Sequence, residues 1–169
     1  GVKEVMEMGG IKNEGEEKVF LISTTHGGET HGIAAGLATI EVFENQDVIN
    51  YNQNLGDYLI RSCKNSINKK NISDYVNVTG NNWMVVFQFK DFERNECLGM
   101  KTLVMQEMIK RGVLFQGVFV PCFSHTKSDV DFFIKIFEDA LYVYELALET
   151  SYHNYLKGIP VKPVFRKIL

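Results

Sequence analysis

The spacing of apolar residues changes along the chain, and each change marks an element. Residues 1–17 are polar and punctuated by glycine; they predict a short helix from Val2 to Met8 and then a loop. Val19-Phe20-Leu21-Ile22 is a short apolar run of the kind a buried strand shows. It ends in Ser23-Thr24-Thr25-His26-Gly27-Gly28-Glu29-Thr30, a cluster of small and polar residues. Helical spacing resumes at Gly32 and runs to about Asn45. Ile33, Leu37 and Ile40 form one stripe, with Ala34, Ala35 and Ala38 between. Asp47 can cap the next helix, in which Val48, Tyr51, Leu55, Tyr58, Leu59 and Ile67 recur at helical spacing.

The period then shortens. β-branched and aromatic residues dominate from Tyr75 to Thr79 and from Trp83 to Phe89, with Gly80-Asn81-Asn82 between them as a turn. Trp83, Val85, Phe87 and Phe89 are expected on one strand face. A helix follows from about Leu98 to Arg111, and Gly112 can end it. Val113 to Phe115 predicts a third short strand. Pro121 to Thr126 predicts a turn. Thr126 with Asp129, or Ser128 with Asp131, fits a helix-start capping box. Val130, Phe133, Ile134, Phe137, Leu141, Tyr144 and Leu148 then form a helical stripe ending near Glu149. The last dozen residues hold Gly158, Pro160 and Pro163, with Lys162, Arg166 and Lys167 and no acidic side chain. They predict an extended basic tail on a neighbour or in solvent. The order βαα, hairpin, α, β, α is that of a small α+β unit, helices covering a mostly antiparallel sheet. Residues 1–45 and 46–169 read as separate parts, and the segment Gly1 to Ala38 needs a partner surface.

Composition narrows the class. The 169 residues are 45% hydrophobic and 23% charged, which is globular. Eighteen Lys and Arg against 21 Asp and Glu give a net charge of -3, which argues against a general nucleic-acid binder. No apolar run approaches the roughly 20 residues of a membrane helix, and no signal peptide is visible. Cys63, Cys97 and Cys122 are odd in number and scattered. They fit reduced thiols in a cytoplasmic protein better than disulfides or a zinc site.

Few residues carry a chemical signal. In Ser23 to Thr30, hydroxyls and two adjacent glycines lead into a helix N-terminus, which suits a phosphate group. No Gly-Lys-Ser/Thr follows, so this is not a P-loop; an ordinary glycine loop capping a helix fits the same residues. His26 and His31 are five apart, the wrong spacing for a metal pair on one helix face, and no metal site is expected. A Cys122–His125 nucleophile pair is conceivable, but no third group orients it, and a buried inert thiol is the plainer expectation. His125 and His153 read as structural or solvent-exposed. Lys101, Lys110 and Arg111 read as a solvated helix face.

Four runs together say more. Phe20-Leu-Ile-Ser-Thr-Thr-His-Gly-Gly-Glu-Thr-His-Gly-Ile-Ala-Ala-Gly-Leu-Ala-Thr-Ile40 resembles a stretch of the class III pyridoxal-phosphate-dependent aminotransferases, closest to the glutamate-1-semialdehyde aminomutase-like branch. Lys101-Thr-Leu-Val-Met-Gln-Glu-Met-Ile-Lys-Arg-Gly-Val-Leu-Phe115, Phe119-Val-Pro-Cys-Phe-Ser-His-Thr126 and Pro160-Val-Lys-Pro-Val-Phe-Arg166 agree in the same order. The resemblance spans essentially the whole chain.

The resemblance implies a fold-type I homodimer with pyridoxal 5'-phosphate at the subunit interface. It implies that this chain is the C-terminal segment of such an enzyme: the end of the large domain, the linking helix and the small domain. The Schiff-base lysine and the aspartate on the pyridine nitrogen would both precede it, so the chain holds no catalytic residue and is expected to be inactive alone. In the family a threonine of the loop reaches the cofactor phosphate of the neighbouring subunit. Aligning Ala34-Ala35-Gly36 gives that role to Thr25, with Gly27 and Gly28 forming the tight loop, and tips the loop toward phosphate binding. Glu29 becomes a substrate-side or interface residue, or else a helix-start carboxylate. Many aminomutase relatives carry Ser-Gly-Asn-Pro in place of Gly27-Gly28-Glu29-Thr30, so the resemblance implies a small amino or keto substrate and not glutamate-semialdehyde isomerisation itself. Two rivals stand beside this reading: a non-catalytic dimerisation or partner-binding module derived from such an enzyme, and an unrelated phosphate-ligand domain.

Overall fold

A computed structural model describes residues 28–162. The described residues fall into two units that part between Asp47 and Val48. The strand expected over Val19–Ile22, the helix expected over Val2–Met8 and the last seven residues lie outside the described residues.

In the first unit, α1 (Thr30–Asn45) covers the stretch whose apolar spacing predicted a helix. It buries no residue, and Ile33, Leu37 and Ile40 stay more than half exposed. Gln46 ends it, its backbone amide donating to the Val42 carbonyl at 3.0 Å.

The second unit is α+β: α2 (Val48–Lys69), β1 (Val76–Asn81), β2 (Met84–Phe89), α3 (Leu98–Lys110), β3 (Val118–Phe119) and α4 (Lys127–Glu149), then a 3-10 turn at Tyr152–Asn154. The three strands form one antiparallel sheet in the order β1-β2-β3. Val76 pairs with Phe89 and Val78 with Phe87. With Val85 these side chains are buried, because strand residues two apart share a face. The helices bring their own stripes to the same core: Leu55, Leu59, Cys63 and Ile67 from α2, Leu103, Val104 and Met108 from α3, and Phe133, Phe137, Leu141 and Tyr144 from α4. Phe87 is the hinge of this packing; its ring meets Phe115 and Phe137 edge to face, each at 5.2 Å.

Polar groups fix the same elements. Tyr144 of α4 donates to the Lys90 carbonyl at 2.5 Å and accepts from the Lys90 amide at 3.2 Å. It thereby ties α4 to the end of β2, and burial pushes its phenol up. Thr126 and Asp129 form the capping box that starts α4. Asp129 accepts from the Thr126 hydroxyl and amide, both at 2.7 Å, and these bonds hold its carboxyl below the usual range.

Four expectations need correction. The hairpin ladder runs on to Asn81↔Met84, so the turn is Asn82-Trp83 and not Gly80-Asn81-Asn82. Trp83 therefore sits on the turn, 55% exposed, outside the face of Val85, Phe87 and Phe89. The third strand is Val118–Phe119, not Val113–Phe115. Gly117, at φ +91°, redirects the chain so that Val118 pairs with Val86, while Phe115 enters the core. The start of the tail lies on its own chain. Gln106 of α3 donates to the Tyr155 carbonyl and accepts from the Lys157 amide, and Thr102 accepts from the Val161 amide at 2.9 Å.

Candidate functional site

Thr25 and Gly27 lie outside the described residues, so the loop is seen from Gly28 onward. Gly28 is exposed, and a Cβ built on it meets nothing within 4 Å. Glu29 is the N-cap residue of α1, in extended backbone conformation. Its carbonyl accepts from the Ile33 amide at 3.0 Å, which closes the first turn. Its side chain makes no capping hydrogen bond; its carboxylate pairs instead with His31 Nε2 at 2.8 Å. A carboxylate beside the positive end of a helix is favourable, so that dipole already has one anion near it. The arrangement is an accessible glycine ahead of a 16-residue helix, with a Glu–His pair at its mouth. Gly28 leaves open space ahead of α1, and the Glu29 carboxylate sets a negative charge beside it.

The other sequence candidates separate. Cys122 is exposed, which overturns the buried thiol expected for it. It does meet His125: Sγ lies 3.4 Å from Nδ1, and the Cys122 amide donates to the same nitrogen at 3.2 Å. His153 is exposed on the 3-10 turn, its ring against Tyr152. Among the described residues no group of three His, Cys, Asp or Glu could hold a metal ion. No described helix is long and apolar enough to cross a membrane.

Residue spacing missed one charged site. Lys110 and Arg111 are not a plain solvated face; they turn back on Glu107, which is only 4% exposed. Arg111 binds it at 2.8 Å, Gln106 donates to it at 2.9 Å, and Lys110 completes the set. Burial alone would raise this carboxyl, but the hydrogen bonds from Arg111, Lys110 and Gln106 outweigh it and hold the group down at about 2. The three- and four-residue offsets from Glu107 to Lys110 and Arg111 were the available signal, since such pairs face each other on a helix. The cluster is structural, and Arg111 also reaches toward Asp139 of α4 at 3.8 Å.

Among the cavities of the second unit, two bear on the residues above. One, of about 290 Å³, is walled by Leu114, Val118, Phe119, Phe132 and Phe133, with His125 and Asp129 at its polar side. The other, of about 440 Å³, lies between α2 and α4 at Ser66, Lys70, Glu138 and Tyr142. Neither gathers the constellation of nucleophile, base and oriented donors that catalysis on its own would need. Set against protein-family models and against curated proteins, the chain matches none.

Proposed function

We propose that this chain is the C-terminal part of a pyridoxal-phosphate-dependent class III aminotransferase or aminomutase of fold type I. The observation that carries the reading is the agreement of four sequence runs in one order. Parts of these runs lie among the described residues. The described part of the first run, Gly28 to Ile40, leads into α1. Lys101 to Phe115 is α3 and the chain after it. Phe119 to Thr126 runs from β3 to the cap of α4.

In the complete enzyme the cofactor would supply an electron sink for amino-group transfer. The part of this chain is to hold it and to shape the cleft. The Thr25 hydroxyl would donate to a phosphate oxygen across the subunit interface. The amides of the loop at Gly27 and Gly28 would approach the same group closely, as glycine allows. Glu29, held beside His31, would stand at the substrate side and contribute a negative charge there. The exposed stripe of Ile33, Leu37 and Ile40 supports a helix made to be covered by the rest of a homodimer.

The test is Thr25→Ala in the full-length dimer. A lost hydrogen bond to a charged group corresponds to roughly tenfold weaker retention of pyridoxal phosphate, and Thr25→Ser should restore most of it. Unchanged retention in Thr25→Ala would remove the phosphate role from this loop.

A further inference from the structure

We propose that Cys122 is a reactive thiol with His125 as its base, and that it exchanges with low-molecular-weight disulfides to form a mixed disulfide.

The pair is held from several sides. The Cys122 amide donates to His125 Nδ1 at 3.2 Å, so that nitrogen carries the lone pair, and the proton of the neutral ring belongs on Nε2. The same lone pair faces Sγ at 3.4 Å. The His125 amide closes the turn on the Cys122 carbonyl at 3.0 Å. The His125 carbonyl accepts from the Tyr51 hydroxyl at 2.7 Å. Its ring packs on Phe119 at 5.1 Å, and Tyr51 meets Phe123 edge to face at 5.2 Å. Thr126, the next residue, is pinned as the cap of α4. A base so fixed beside a thiol is the arrangement that turns cysteine into a nucleophile.

The other thiols differ. Cys63 is fully buried in the core, and burial, with the charge of Glu138, pushes its thiol up. Cys97 is half-buried. Cys122 alone among the three is both exposed and paired with an imidazole nitrogen.

The exchange balances without a further reagent. His125 Nδ1 takes the Cys122 proton as Sγ attacks one sulfur of the incoming disulfide. The new S–S bond forms and the old one breaks. The departing sulfur leaves as a thiolate and takes the proton back from the imidazolium. The Cys122 sulfur is oxidised, and one half of the disulfide is reduced to a thiol.

The experiment incubates the full chain with oxidised glutathione and follows each cysteine by peptide mass, with N-acetylcysteine as the reference thiol. Cys122 should gain a glutathionyl group about tenfold faster than N-acetylcysteine reacts, with Cys63 unmodified. His125→Gln should slow Cys122 to about the rate of the free thiol, with Cys63 still protected as proof of an intact fold. Cys122→Ser should abolish the fast label. A Cys122 rate no greater than that of N-acetylcysteine overturns the proposal. So does an unchanged rate in a folded His125→Gln chain. If that variant exposes Cys63, the comparison of wild-type Cys122 with N-acetylcysteine decides alone.

Discussion

Glu107 shows how one side chain can make a fold sensitive to acid. It is buried on α3, yet it stays ionised because Arg111, Lys110 and Gln106 all donate to it. Its carboxyl titrates at about 2 in the folded chain against an ordinary 4.5. A carboxyl lowered by folding stabilises the fold fully above its unfolded value and loses that contribution as pH falls toward its folded value. The contribution is about 3 kcal/mol near neutral pH and fades between about pH 4.5 and 2. Glu107→Gln should therefore lower the urea midpoint clearly near neutral pH and about half as much near pH 3. Equal losses at both pH values would contradict this origin of the stability.

Cys122 belongs to the same scale. Its partner was legible in the sequence, since His125 is three residues away. Its exposure was not, because loop residues have no period from which a buried face can be read.

Among the elements, the long helices were readable and the short pieces were not. The 23 residues of α4 repeat an apolar stripe that Phe133, Phe137, Leu141 and Tyr144 carry into the core, and the capping box announces its start. A two-residue strand has no such redundancy. Val113–Phe115 and Val118–Phe119 look alike as apolar runs; only the pairing of Val118 with Val86, after Gly117 turns the chain, decides between them. Trp83 has the parity of the buried residues of β2 but lies one step past the last ladder pair.

The helix-to-hairpin contact was also hidden, because it depends on a side chain that is missing. Gly56 is buried on α2, and a Cβ there would stand 1.6 Å from the Asn82 carbonyl oxygen at the hairpin turn. Gly56→Ala should destabilise the unit by about 3 kcal/mol, since the turn must move to admit the methyl group. Gly158→Ala, where a Cβ meets nothing, is the matched control and should be close to neutral. Thermal midpoints of the two variants check this, and equal midpoints would contradict the close approach.

At the scale of the whole molecule, the second unit has a core of its own, built from three helices and a three-stranded sheet. The first unit, as described, is a helix that buries none of its residues. On the proposed function, α1 would link this segment to a larger body that carries the lysine. It follows that the 169-residue chain by itself should show no amino-group transfer when given pyridoxal phosphate with amino donors and keto acceptors. Turnover by the purified chain, seen as keto product formed from the donor, would contradict that division of labour.

The most direct measurement is the coding sequence upstream of the Gly1 codon. It should continue in frame through a large domain and supply a lysine to hold the cofactor ahead of Ser23–Thr30. A start codon at or just before Gly1 would contradict the proposed function, and the chain would then have to act without that lysine.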